Sequence, residues 1–174
     1  FRPQDAGPCQ QQTKKNSEVN GIKGMTMSGR IIHDNMGRII QEGQPVFASG
    51  ISYAYSEAGM KNPTTHSYDP IGRKINTEFP DGSDMEYGYG LSGDLFTTTV
   101  TDQMDKTKTQ YLTNRGNIVQ ITEEGGINTY YKYNILNEIT RITDNNGNIT
   151  TIEYDMLGRR TAITNPDTGR IGYV

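Results

Sequence analysis

The chain has 174 residues, a net charge of −3 and only 32% hydrophobic residues. Ile (18), Thr (21), Tyr (11) and Gly (20) dominate over five Ala and five Leu, which suits pleated sheet and excludes a helical bundle. No run approaches eighteen apolar residues, so no membrane-spanning helix is expected, and the acidic balance gives no basic footprint for nucleic acid.

Leu, Ile, Val and Phe make up about 18% of the chain, just under the roughly 20% that warns of disorder. The small net charge meets only half of that warning. One cysteine, Cys9, excludes an internal disulfide and a multi-Cys zinc site. No signal segment is visible, and without a starting Met that absence carries no weight.

In chain order, residues 1–27 hold no repeat, are rich in Gln, Lys and Pro, and read as a tail or linker. From 28 to 174 a short pattern recurs. It is an aromatic residue, often Asp, two further residues, then Gly and a polar residue. Complete copies are Tyr68-Asp69-Pro70-Ile71-Gly72-Arg73 and Tyr154-Asp155-Met156-Leu157-Gly158-Arg159. In His33-Asp34-Asn35-Met36-Gly37-Arg38, His replaces Tyr. Weaker copies place Tyr55 with Gly59, Tyr89 with Gly93, Leu112 with Gly116, and Tyr133 with Asn137. The anchors are Gly37, Gly59, Gly72, Gly93, Gly116, Asn137 and Gly158, spaced by 22, 13, 21, 23, 21 and 21. The short interval before Gly72 reads as a truncated unit.

The pattern has the chemistry of a turn. Asp at the first position accepts backbone N–H bonds, and Gly suits the fourth, where φ is positive. Asn137 fits that slot because Asn visits the left-handed region. The Tyr is expected to lie over the hairpin with its hydroxyl in water. Second turns follow at Pro80-Asp81-Gly82, Glu124-Gly125-Gly126, Asn145-Asn146-Gly147 and Asn165-Pro166-Asp167-Thr168-Gly169. Between turns, Ile, Tyr and Thr alternate with polar residues. The reading is an all-β meander of thirteen or fourteen strands of six to nine residues. Single hairpins need neighbours on both edges.

These residues resemble the YD repeats of the Rhs family, over roughly 28–174, and are similar to the B component of bacterial insecticidal toxin complexes. The resemblance implies a segment of a spiralling β-sheet shell, secreted or on the bacterial surface, around a toxic C-terminal polypeptide. It implies structural roles for Asp34, Arg38, Tyr68, Asp69, Arg73, Tyr154, Asp155 and Arg159 beside the anchors, and partners in further YD repeats of the same polypeptide or a companion toxin component. The array is expected to run on past Val174, with a next anchor near position 179. The alternative is a cell-surface YD-repeat module that binds carbohydrate or mediates adhesion.

No catalytic, cofactor or metal site is expected. Gly88-Tyr89-Gly90-Leu91-Ser92-Gly93 matches GxGxxG but lacks a βαβ setting. Asp144-Asn145-Asn146-Gly147-Asn148 has Gly at position four, not the six of a calcium loop. His33 and His66 lack a ligand cluster, Ser92 lacks a GxSxG elbow, and Asp81/Asp84 and Glu123/Glu124 read as solvated. Asn148-Ile149-Thr150 is a glycosylation sequon that a bacterial chain leaves bare.

Overall fold

The structure, a computed structural model, describes residues 13–50 and 61–173. The described residues hold sixteen strands of three to nine residues and one 3-10 turn at Glu124–Gly126. The chain divides into two compact units, Phe1–Glu86 and Tyr87–Val174. Tyr55 and Gly59 lie outside the described residues.

The first unit holds β1 (Thr13–Val19), β2 (Ile22–Ser28), β3 (Ile31–His33), β4 (Ile39–Glu42), β5 (Val46–Ser49), β6 (Thr64–Tyr68), β7 (Lys74–Glu78) and the start of β8 (Asp84–Ser92). β1, β2 and β5 form a small antiparallel sheet. The described part of 1–27 is therefore a hairpin where the sequence suggests a tail or linker. Asn20 and Gly21 explain it. Both have positive φ (51° and 75°), the geometry of a two-residue hairpin turn. Gly24 lets β5 approach, since a Cβ there would collide with the Ala48 carbonyl and the Phe47 ring.

The second unit holds the rest of β8, then β9 (Leu95–Thr101), β10 (Thr107–Leu112), β11 (Ile118–Glu123), β12 (Ile127–Tyr133), β13 (Ile139–Thr143), β14 (Ile149–Tyr154), β15 (Arg160–Asn165) and β16 (Gly169–Gly172). The large sheet is a thirteen-stranded antiparallel meander in which each strand neighbours its successor, with one exception. β4 pairs with β6, because β5 joins the small sheet. Gly37 and Gly72 anchor the β3–β4 and β6–β7 turns of the ladder, with β5 in the chain between them; the truncated unit before Gly72 starts from Gly59, outside the described residues.

The sheet has almost no interior. Among the described residues only Gly24, Met25, Thr77 and Ala162 are buried. In the second unit the faces differ instead. Rows of directly opposed residues on one face run Tyr131–Ile142–Thr150 and Ile152–Ile163–Ile171. On the other they run Gln120–Tyr130–Thr143–Ile149 and Lys132–Arg141–Thr151–Thr164–Arg170. Ile and Tyr thus gather on one side, where cross-strand packing of β-branched and aromatic side chains supports the sheet.

Candidate functional site: a ladder of capped turns

The repeating turn is the unit from which any function is built. Its backbone is fixed by two bonds. In the first copy the Gly37 N–H donates to the Asp34 carbonyl (3.0 Å) and the Asp34 N–H to the Arg38 carbonyl (2.8 Å). The same pair recurs at Asp69–Arg73, Phe79–Ser83, Asp102–Lys106, Thr113–Asn117, Asn134–Glu138, Asp144–Asn148 and Asp155–Arg159. At five of these, 34, 69, 113, 134 and 155, the strand register slips beside the turn. That is the bulge expected when a three-residue connection ends in a left-handed residue.

The left-handed position is Gly at 37, 72, 82, 116, 147 and 158, with φ between 76° and 89°. Asn137 (φ 71°) and Asp105 (φ 58°) occupy it without glycine. Gly93 departs from the reading. It forms a two-residue turn with Asp94, and only Gly93 has positive φ, so Tyr89 lies inside β8 rather than beside a capped turn.

Except at Phe79, the first-position side chain caps the turn. Asp69 Oδ1 accepts the N–H groups of Ile71 (3.1 Å) and Arg73 (2.8 Å), while Oδ2 takes the Arg73 Nε–H (2.7 Å). Asp34 and Arg38, and Asp155 and Arg159, repeat this arrangement. For Asp34 and Asp69, desolvation pushes the carboxyl upward. The bonds from Arg38 and Met36, and from Arg73 and Ile71, outweigh it and hold both below the ordinary value. For Asp155 the Arg159 N–H is the largest cause of the same downward shift. The turns at Asp102 and Asp144 use their carboxylates alike. Asp102 escapes sequence reading because Asp105, not Gly, fills its fourth position.

The tyrosines do not keep their hydroxyls in water. Each donates to a backbone carbonyl of the repeat before it. Tyr68 bonds to Ile39 (2.7 Å), Tyr133 to Ile118 (2.8 Å) and Tyr154 to Ile139 (3.0 Å). Burial raises the Tyr68 and Tyr133 hydroxyls above their ordinary range. The acceptor always follows the last residue of a capped turn, so the bond staples consecutive repeats. His33 occupies the tyrosine slot without forming it, and its Nδ1 is buried without a partner among the described residues.

Consecutive turns also touch. The Arg38 guanidinium lies 4.7 Å from the Tyr68 ring centroid and 3.4 Å from the Asp69 carbonyl. Asn117 donates to the Asn137 side chain. A Cβ on Gly158 would sit 2.8 Å from Glu138 Oε1. The tips themselves are apolar and unpacked: Ile135, Leu136, Met156 and Leu157 are 93%, 61%, 98% and 77% exposed.

The rejected motifs have structural places. Gly88 and Gly90 lie in β8 against Thr99 and Thr97. His66, nearly buried, bridges Glu42 (3.2 Å) and Thr77 (3.1 Å). No group of three metal-ligating side chains occurs among the described residues. No described helix is long and apolar enough to cross a membrane.

The fold and its turns define an all-β protein of stacked hairpin repeats. More particularly, residues 133–170 match the family model of the RHS repeat. The described fold is similar to solved structures of toxin complexes. TcdB2-TccC3 matches with a TM-score of 0.71 and 20% identity, over 94% of this chain and 10% of that chain. TcdB2-TccC3-Cdc42 matches at 0.68 and 18%, over 93% and 10%. A mutated Tc holotoxin pore from Photorhabdus luminescens matches at 0.69 and 19%, over 93% and 10%. The chain thus spans about a tenth of the length of these structures. No curated protein sequence matches it.

Proposed function

We propose that this chain is a non-enzymatic wall segment of a secreted bacterial Rhs-repeat toxin shell, whose role is to enclose a toxic polypeptide until delivery. One observation carries this reading: the large sheet has no core of its own and exposes apolar turn tips at Ile135, Leu136, Met156 and Leu157. A single sheet layer with such a ridge is suited to being one strip among others, with the next strip covering the tips. The likeness in fold to TcdB2-TccC3 supports the same reading. The wall works by exclusion. Paired strands leave no passage between them, and the stapled turns keep neighbouring hairpins in register.

The test is protease digestion of the intact polypeptide that contains this segment. The enclosed toxic part is expected to resist cleavage, and to become sensitive when Leu136 and Leu157 are both changed to Asp. Digestion of the wild-type toxic part at the rate of the free polypeptide would overturn the proposal.

A further inference from the structure

In the second unit the turn edge carries a groove that the wall role does not use. It has a volume of about 480 Å³ and lies between the turns Thr113–Asn117 and Asn134–Glu138. These two turns differ from the copies built on aspartate and arginine. There, Arg38, Arg73 and Arg159 are each neutralised by the aspartate four residues earlier. Here the first position is Thr113 or Asn134, and the cations lining the groove are Arg115 and Lys132. Neither has an ion-pair or hydrogen-bond partner among the described residues, and no carboxylate lines the groove. Glu138, the nearest in sequence, is held by the Asn134 amide at 2.6 Å.

A second observation points the same way. Lys132 stands directly opposite Arg141 across the β12–β13 pair. Like charges at opposed positions destabilise a sheet. Among the described residues Arg141 reaches only the Thr143 hydroxyl, at 3.4 Å. The region therefore holds an excess of positive charge that a bound anion would relieve.

The rest of the lining selects among anions. Asn134 spends its amide on its own turn, and the Asn117 Nδ2–H goes to the Asn137 amide oxygen; this leaves Asn117 Oδ1 as an acceptor and Asn137 Nδ2 as a donor, which suits adjacent hydroxyls. Tyr133 spends its hydroxyl on Ile118 and leaves its ring as an apolar surface. The groove is of the size of small-molecule sites, larger than a lone inorganic anion requires.

We infer that this groove binds an acidic saccharide, its carboxylate held by Arg115 and Lys132 and its hydroxyls by the Asn117 amide oxygen and the Asn137 amide nitrogen. The inference does not rest on the shell reading: it needs no enclosed polypeptide, and it needs Arg115, Lys132, Asn117 and Asn137 open beside the tips Ile135 and Leu136.

The experiment is an NMR titration of the whole chain with a tetrasaccharide of alternating glucuronate and N-acetylglucosamine. Shifts are expected at 113–117 and 131–137, with no response to sodium acetate or to a neutral N-acetylglucosamine tetrasaccharide. Arg115→Ala and Lys132→Ala should each weaken binding roughly tenfold. Both side chains are exposed, so unchanged melting curves will show that the variants fold. The inference is overturned by an absence of shifts, by binding that survives both substitutions, or by equal binding of acetate, the neutral sugar or a glutamate tetrapeptide.

Discussion

Along one edge of the second unit the turn tips are Ile135-Leu136 and Met156-Leu157, and along the other they are Asn145-Asn146 and Pro166-Asp167. Asp144 and Asp155 make the same backbone bonds and the same carboxylate caps on the two edges. What differs is the residue before the cap. It is Tyr154 on one edge and Thr143 on the other, and only the tyrosine reaches back to the preceding repeat. The comparison assigns separate tasks to separate positions. The first and fourth residues set the turn, the two between them set the surface, and the residue ahead sets the link between repeats.

The sharpest way to break the comparison is to crowd one edge. Gly158→Val adds a Cβ beside Glu138 in a left-handed conformation, whereas Gly147→Val meets nothing within 4 Å. Urea unfolding should show a loss on the order of 2–3 kcal/mol for the first and about 1 kcal/mol for the second. Equal losses would mean that turn stacking does not contribute. Next, Tyr154→Phe removes the bond to Ile139 and should cost about 1 kcal/mol. Tyr130→Phe, whose ring is 44% exposed, should leave the same unfolding curve in place.

Acid titration separates the carboxylate caps from the amide ones. Folding lowers the pKa of Asp34, Asp69, Asp102, Asp144 and Asp155. A depressed pKa contributes stability that is complete above the unfolded value of about 3.9 and is lost as pH falls through the folded one. Asp155→Asn should flatten this acid limb, and Asn134→Asp should steepen it. A limb unchanged by both would refute the assignment of acid sensitivity to the caps. The smallest effect is expected for Arg159→Ala. That side chain is 74% exposed, so the loss should stay under about 1 kcal/mol and shrink with added salt.

Much of the sheet was legible because turn residues punctuate it. Asp, Gly and the left-handed Asn137 have local reasons for their positions, so the meander and its period could be read one residue at a time. Pairing between distant strands had no such local signal, which is why the departure of β5 to β2 was not foreseen. The turn at Asp102 carries no glycine signal, because Asp105 takes the left-handed position. The tyrosine bonds were missed because a half-exposed hydroxyl is ordinarily satisfied by water, and only the bulge brings a spare carbonyl within reach. The groove was invisible for another reason. Arg115 and Lys132 form no motif, and only the turn ladder and strand pairing bring them to one groove.

The stapling bonds all run in one sense, from a tyrosine to a carbonyl fifteen residues earlier for Tyr133 and Tyr154, and twenty-nine earlier for Tyr68. A chain leaving the ribosome amino end first therefore completes each acceptor before its donor is made. Every new hairpin arrives at a prepared edge, and none must wait for sequence not yet translated. The sheet is built to grow in the direction of synthesis, as a fabric knitted row on row.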